Sequence, residues 1–220
     1  MATFILIPGA GSDAWHWHLV EPELRSRGHE TVAVDLPCAD DDAGFIEYAD
    51  AVVNAIGDRR EGVVLVAQSL GGFTAPLVAD RVPVRLIVLV AAMVPLPAES
   101  PGDWWSNTGY EAPEPFDEEA VFLHDVPREV AAESANHICA QSNTPFERPY
   151  PFTAWPDVPT RFLLCRDDRF FPAEFLRSTV RHRLGIEPDE MASGHCPALA
   201  HPVELAIRLD TYWRSAQLNE

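Results

Sequence analysis

The fold of this chain is decided by the stretch Val63-Val64-Leu65-Val66-Ala67-Gln68-Ser69-Leu70-Gly71-Gly72. Its apolar, valine-rich beginning predicts a strand over Gly62–Ala67 that is covered on both faces of a sheet. The double glycine lets backbone segments approach closely, which favours a tight turn into a helix. A serine on such a turn is a nucleophile elbow with an exposed hydroxyl; the usual pattern is G-x-S-x-G, and Ala67 stands at the first glycine position. The alternative is a serine that only caps a helix.

Strands and helices are predicted to alternate on either side of this stretch. Other short apolar runs predict strands at Thr3–Ile7, Glu30–Val34, Arg85–Val90, Thr160–Cys165 and Ile186–Met191. Helical patterns lie around Trp17–Arg27, Ala43–Arg59, Leu70–Val82 and Ala173–Leu184, and from about Pro202. Repeated strand–helix units predict an α/β fold with a mostly parallel sheet and right-handed crossovers.

Residues 95–159 interrupt this alternation. They hold eleven of the twenty prolines, and proline blocks regular helices and central strands. Short helices and loops are expected, with the best helix candidate over Val126–Gln141 and Pro127 in its first turn. We therefore predict a discontinuous core of residues 1–94 and 160–220, with an inserted cap over residues 95–159.

The charge of the chain excludes several classes of protein. Sixteen basic residues against 34 acidic ones give a net charge of −18, which disfavours binding to nucleic acids or anionic membranes. All sixteen basic residues are arginine. Without lysine the chain is neither a P-loop ATPase nor a Schiff-base or pyridoxal-phosphate enzyme, because each of these needs an amine.

Three observations predict a cytoplasmic protein. No apolar run reaches the roughly 18 residues of a membrane span. Thr3–Ile7 leads directly into Pro8, without the charged leader or cleavage region of a secretion signal. The cysteines at positions 38, 139, 165 and 196 form no CxxC pair, so we expect free thiols in a reducing compartment rather than a zinc or redox site.

No metal and no dissociable cofactor are predicted. The acidic run Asp40-Asp41-Asp42 lacks the ligand spacing and terminal glutamate of a calcium loop, so a solvated turn is expected there. Any activity of the chain should therefore survive a chelator.

A serine hydroxyl needs a base to remove its proton and an acid to orient that base. In elbow folds these follow the serine in the order acid, then histidine. Asp168 lies just past the strand Thr160–Cys165 and is the predicted acid; Asp167 is the alternative, and both could be solvated loop residues. His195 lies on a predicted strand-to-helix loop and is the predicted base.

The other seven histidines fit the order or the location less well. Three of them precede the serine, two lie in the insert, and two lie in or near late helices; they are His16, His18, His29, His124, His137, His182 and His201. His16 and His18 flank Trp17 at a helix start, where we expect a surface or packing role.

An oxyanion that develops during acyl transfer needs hydrogen-bond donors. The backbone N–H of Leu70, directly after the serine, is one predicted donor. The backbone N–H of Ala10 is the other, because the glycine-containing loop Pro8–Ser12 follows the first strand. A simple tight turn is the alternative for this loop.

Several motifs together resemble the α/β-hydrolase superfamily, in the branch of plant methylesterases and the related hydroxynitrile lyases. The resemblance covers residues 3 to about 95 and 160 to about 205. It implies an eight-stranded, mostly parallel sheet, of which the sequence shows about six strands. It is carried by Phe4–Ala10, Ala14-Trp15-His16-Trp17, Gly28-His29, Val34-Asp35-Leu36-Pro37, the serine elbow and Gly194-His195.

At a few positions this chain has residues that differ from those of the family, and these differences limit which reactions the resemblance implies. The family commonly has His-Gly after the first strand, and this chain has Pro8-Gly9. In the lyases a threonine replaces that glycine, and a lysine follows the catalytic histidine. Gly9 and Cys196 stand at those places here, so cyanohydrin cleavage is disfavoured and hydrolysis is the expected reaction.

The sequence thus predicts a serine hydrolase that cleaves a small, fairly apolar ester or lactone through an acyl-enzyme on Ser69. Aromatic residues of the insert either line the substrate pocket or form the core of the cap. The predicted pocket residues are Gly9, Trp104, Trp105, Phe122 and Trp155. The alternatives are a cofactor-free C–C hydrolase or perhydrolase on the same triad, or a non-catalytic small-molecule sensor. The expected partner is a small-molecule ester, and a homodimer is left open.

Overall fold

A computed structural model describes residues 1–218, and its sheet consists of six parallel strands in the order β2-β1-β3-β4-β5-β6. The strands are β1 (Thr3–Ile7), β2 (Glu30–Ala33), β3 (Val63–Gln68), β4 (Leu86–Val90), β5 (Thr160–Cys165) and β6 (Asp189–Met191). The helices of the two core segments are α1 (Val20–Ser26), α2 (Phe45–Ile56), α3 (Gly71–Ala79), α8 (Ala173–Leu184), α9 (Pro197–Ala200) and α10 (Pro202–Gln217). This arrangement confirms the predicted α/β class.

Each of the six predicted strands is present, with small shifts at the ends. β6 is the shortest and pairs with β5 only over Asp189–Met191. The predicted strand began at Ile186, but Pro188 has no N–H for a ladder bond, so regular pairing begins after it. Within residues 1–218 the sheet has six strands, not the eight that the family resemblance implies.

Both faces of the sheet are covered, which explains why its central strands are apolar without interruption. In β1, Ile5 and Ile7 face a core shared with α2, α3 and α8, whereas Phe4 and Leu6 face a second core with α1 and α10. Successive side chains point to opposite faces of a strand, so a strand covered on both sides must be apolar at every position.

Residues 95–159 form short helices between β4 and β5. They are α4 (Pro101–Thr108), α5 (Glu118–Phe122), α6 (Arg128–Ser134) and α7 (Thr144–Glu147), with a 3₁₀ turn at Ala135–His137. The helix predicted over Val126–Gln141 is therefore shorter, and Pro127 is its N-cap rather than a first-turn residue. It ends early because Ile138 is extended and forms a β-bridge with Ser12.

The prediction of four free thiols is wrong for Cys38 and Cys139, which form a disulfide with Cα atoms 6.3 Å apart. The loop after β2 and the second half of the insert meet here, and the Ser142 N–H donates to the Cys38 carbonyl at 2.8 Å. Cys165 and Cys196 are free and buried. The two bonded cysteines are 101 residues apart, so no local spacing pattern indicated the bond.

Thiol counting tests this bond. Unfolded protein prepared without reductant should show two thiols per chain with Ellman's reagent, and four after reduction. Reduction should also lower the free energy of unfolding by about 4 kcal/mol, because the cross-link closes a long loop in the unfolded chain. Cys139→Ser provides the control and should show three thiols without reductant. Four thiols in the unreduced wild-type chain would refute the bond.

Within residues 1–218, no helix combines the length and the apolar character that crossing a bilayer requires.

Candidate active site

Ser69 lies at the sharp turn between β3 and α3 and has a backbone φ of 51°. This left-handed conformation is costly for a residue with a side chain and is often found at functional sites. The turn is held because the Ser69 carbonyl accepts from the N–H groups of Gly72 and Met93. A Cβ at Gly72 would overlap the Met93 carbonyl, and one at Gly71 would lie 2.9 Å from the Pro8 carbonyl oxygen. The double glycine is therefore required by close packing, as the sequence indicated.

Three side chains distant in sequence meet at this turn. His195 Nε2 lies 3.1 Å from Ser69 Oγ, and His195 Nδ1 lies 2.8 Å from Asp168 Oδ2. The second carboxylate oxygen of Asp168 accepts from the N–H groups of Phe170 and Phe171, at 2.8 and 3.0 Å. With Nδ1 donating to Asp168, Nε2 is left free to accept the proton of the serine hydroxyl.

The neighbouring aspartate does not share this position. The side chain of Asp167 is half-exposed and lies 3.7 Å from Arg166 Nε. Its backbone carbonyl accepts from His124 Nε2 at 3.0 Å. Asp168 is therefore the carboxylate that contacts His195, whereas the side chain of Asp167 lies beside Arg166.

The imidazole of His195 is surrounded by aromatic rings. His195 and Asp168 are buried, with 3% and 6% exposure. The ring centroids of Phe122, Phe170 and Phe171 lie 5.1 to 5.5 Å from that of His195. Such an apolar enclosure excludes water and strengthens the electrostatic interactions within it.

Gln68 supports His195 by a hydrogen bond to its backbone, a role that the sequence motifs did not indicate. Its side chain is buried, and Nε2 donates to the His195 carbonyl at 3.1 Å. The signal was a polar residue at the end of an otherwise apolar strand, since buried polar groups nearly always have a partner.

The two predicted oxyanion donors, Ala10 and Leu70, line the same cavity as Ser69. Within residues 1–218, neither backbone N–H donates a hydrogen bond to a protein acceptor. Leu70 is also the N-cap of α3, at the end of the helix where the macrodipole is positive. Both groups are therefore available to a ligand.

The cavity above Ser69 has a volume of about 530 Å³. Of the predicted pocket residues, Trp105 and Phe122 line it, together with Trp15, Phe146 and Phe170. Its charged lining groups include Asp13 and Glu118, and no arginine lies among the described lining residues. The walls therefore suit an apolar molecule without negative charge.

Three predicted pocket residues do not line this cavity. Trp104 is fully buried, and its Nε1 donates to the Val94 carbonyl at 3.1 Å. Trp155 donates from Nε1 to Thr160 Oγ1 and packs on Phe152. Gly9 lies beneath the serine turn, where a Cβ would be 2.9 Å from Ser69 Cβ. Trp104 and Trp155 thus pack with the main core on one face of the sheet, and form neither the cavity wall nor a separate core of the insert.

His16 was expected at the surface or in packing, but it lines the cavity and is 5% exposed. Its Nε2 is buried without a hydrogen-bond partner among the described residues. Burial, and then the positive charge that His195 can carry, lower the pKa of His16 to about 4. The ring is therefore neutral at pH 7 and adds an imidazole to the cavity wall beside those of His137 and His195.

No metal site accompanies these groups in the part of the chain that the structure describes. Groups of three or more His, Cys, Asp or Glu side chains placed to hold an ion are absent from residues 1–218.

Curated proteins are similar to part of this chain. Norfluorocurarine synthase 1 from Strychnos sp is 29% identical over 119 residues, which are 49% of this chain and 44% of that protein. Methylesterase 7 from Arabidopsis thaliana is 35% identical over 104 residues, 42% of this chain and 40% of that protein. The aligned part of this chain thus spans less than half the length of either relative.

A third relative is similar to this chain both in sequence and in its crystal structure. Polyneuridine aldehyde esterase from Rauvolfia serpentina is 32% identical over 108 residues, 44% of this chain and 41% of that protein. A crystal structure of polyneuridine aldehyde esterase superposes with a TM-score of 0.81 at 19% identity, covering 96% of this chain and 99% of the other. That superposition establishes the shared fold.

The family model described as "Alpha/beta hydrolase family" matches residues 4–208. The match runs through both core segments and the insert, and it includes the serine turn and the loops that carry Asp168 and His195. This chain belongs to the alpha/beta hydrolase family.

Proposed function

We propose that the chain hydrolyses a small, largely apolar carboxylic ester or lactone through an acyl-enzyme on Ser69. The observation that carries the proposal is the continuous hydrogen-bonded series Ser69–His195–Asp168, of which Ser69 and His195 line the cavity. A nucleophile, a base and an orienting acid in mutual contact are the arrangement that acyl transfer from serine requires.

The reaction has two halves. In the first, Ser69 Oγ attacks the ester carbonyl while His195 Nε2 takes its proton, and the developing oxyanion accepts from the N–H groups of Ala10 and Leu70. His195 then returns the proton to the leaving alcohol as the C–O bond breaks. In the second half, a water gives its proton to His195 and attacks the acyl carbonyl, and His195 returns that proton to Ser69 Oγ as the bond between Ser69 and the acyl group breaks. Asp168 orients the imidazole and stabilises its charged form throughout.

The nature of the cavity supports an uncharged substrate. Its wall is largely apolar, and its lining carboxylates, Asp13 and Glu118, would repel an anion. The names of two relatives, methylesterase 7 and polyneuridine aldehyde esterase, support an ester as the reacting group. Because only part of this chain aligns with them, we assign the ester class and not their individual substrates.

Covalent labelling tests the proposal directly. A fluorophosphonate probe should modify the protein once, at Ser69, as located by peptide mass spectrometry, and short p-nitrophenyl esters should be turned over. The exposed Ser178 on α8 provides a matched control, and Ser178→Ala should be labelled at the wild-type rate. Tight binding of esters without labelling of Ser69 would contradict catalysis and indicate a sensor instead.

A further inference from the structure

Two adjacent residues of the insert touch both loops of the candidate triad. His124 Nε2 donates to the Asp167 carbonyl at 3.0 Å, directly before Asp168. Asp125 Oδ2 accepts from the Gly194 N–H at 2.5 Å and from Ser193 Oγ at 3.3 Å, directly before His195. The insert therefore ties together the two loops whose relative position sets the Asp168–His195 contact.

The contact at Gly194 is close-packed. A Cβ on that residue would lie 2.5 Å from Asp125 Oδ1 and 2.7 Å from His124 Nε2, so a larger residue would push the loops apart. His201 Nε2 lies 3.6 Å from Asp125 Oδ2 on the far side. The carboxylate is thus enclosed between the His195 loop and the start of α10.

One oxygen of the Asp125 carboxylate makes no hydrogen bond within the described residues. Asp125 Oδ1 is buried without a hydrogen-bond partner among the described residues. A buried unpaired polar atom is destabilising, so such a group calls for an explanation other than stability. Moreover, the region has an apolar anchor of its own, in which Val126 packs with Cys196 and Leu199. The hydrogen bond from the Gly194 N–H to Asp125 is therefore not needed to hold the insert against this loop, and it instead fixes the exact position of the loop.

We infer that Asp125 is a positioning residue for His195, an inference that rests on the proposed esterase activity. By fixing the Gly194 N–H, its carboxylate fixes the backbone from which the imidazole projects, and hence the 3.1 Å contact between His195 Nε2 and Ser69 Oγ. A misplacement of about 1 Å in a catalytic group can cost about a hundredfold in rate. The insert thus has a part in catalysis besides forming the cavity wall.

Three substitutions of Asp125 distinguish the effect of its hydrogen bond with Gly194 from the effect of its negative charge. Asp125→Ala removes the acceptor and should lower kcat about a hundredfold, with KM within about threefold of wild type. Asp125→Asn keeps an acceptor oxygen for the Gly194 N–H and should stay within about fivefold of the wild-type kcat. Asp125→Glu keeps the charge but moves it by one methylene, and its kcat should fall about tenfold or more.

Asp117 offers a matched control in the same insert. Its carboxylate also accepts a backbone N–H, that of Ala120 at 3.0 Å, but it caps α5 and, among the described residues, makes no hydrogen bond to either loop. Asp117→Ala should leave kcat within about twofold of wild type, even where thermal unfolding shows a lower Tm. The comparison separates loss of a cap in the insert from loss of the contact with Gly194.

Active-site titration makes the outcome decisive. The fraction of chains that a fluorophosphonate labels at Ser69 after long incubation counts the folded sites, and each kcat is divided by that fraction. The rate of labelling separately reports how well His195 is placed to activate Ser69. The inference would be overturned if the loss of kcat in Asp125→Ala disappeared once kcat was corrected for the number of folded sites. It would also be overturned if Asp125→Asn lost as much kcat as Asp125→Ala. If Asp125→Ala yields no folded protein, Asp125→Glu decides, and a wild-type kcat there overturns the inference. Failure to label Ser69 in the wild type would instead refute the proposed function.

Discussion

Replacing Ser69 with alanine is expected to lower kcat for short p-nitrophenyl esters by about 10⁴- to 10⁶-fold, because no acyl-enzyme can form without the hydroxyl. His195→Ala should fall into the same range, since Ser69 Oγ would then lose the base that lies 3.1 Å away. The double variant should be no slower than the slower single variant. Residues that act on one step as a unit are strongly non-additive, and stopped-flow or long-time spectrophotometry would measure all three rates.

The controls for this experiment lie on α8. Ser178→Ala and His182→Ala remove an exposed serine and an exposed histidine from one surface helix, and both should retain the wild-type kcat. Losses in the double variant that multiply those of the single variants would mean that the two side chains act on separate steps. A Ser69→Ala variant with more than about one percent of wild-type turnover would indicate a different nucleophile.

The backbone framework was predictable because it depends on local patterns. An apolar run followed by serine and two glycines predicts a buried strand, a tight turn and a helix, and β3, Ser69 and α3 follow in that order. The chain order serine, acid, histidine then restricted the candidates to loops at the carboxyl ends of later strands, where Asp168 and His195 lie. These inferences needed only sequence order and the known handedness of crossovers.

Contacts between distant segments were not predictable in the same way. Asp125 and Gly194 are 69 residues apart, and the bonded cysteines are 101 residues apart. Trp104 and Trp105 are neighbours in α4, yet the first is fully buried in the core and the second lines the cavity. Which of two adjacent aromatic residues faces a site depends on the rotation of the helix, and that is set by packing that the sequence does not display.

Asp168→Asn should lower kcat about 10⁴-fold while KM changes little, although the change replaces a single atom. The Asn oxygen can still accept from the N–H groups of Phe170 and Phe171, which places its NH₂ group against His195 Nδ1. That amide is a donor, so Nδ1 must accept and the imidazole proton moves to Nε2. Nε2 then points a hydrogen at Ser69 Oγ and cannot take its proton.

Asp167→Asn is the matched control one residue earlier. The Asp167 side chain is half-exposed, and its contact with His124 is made by the backbone carbonyl, which the substitution preserves. Its kcat should stay within about twofold of wild type, because a solvated carboxylate on this loop has no contact with the imidazole. Steady-state kinetics of the two variants on one ester decide between the aspartates. Equal losses in both would mean that loop structure, rather than the tautomer of His195, controls the rate, and the assignment of Asp168 as the orienting acid would have to be withdrawn.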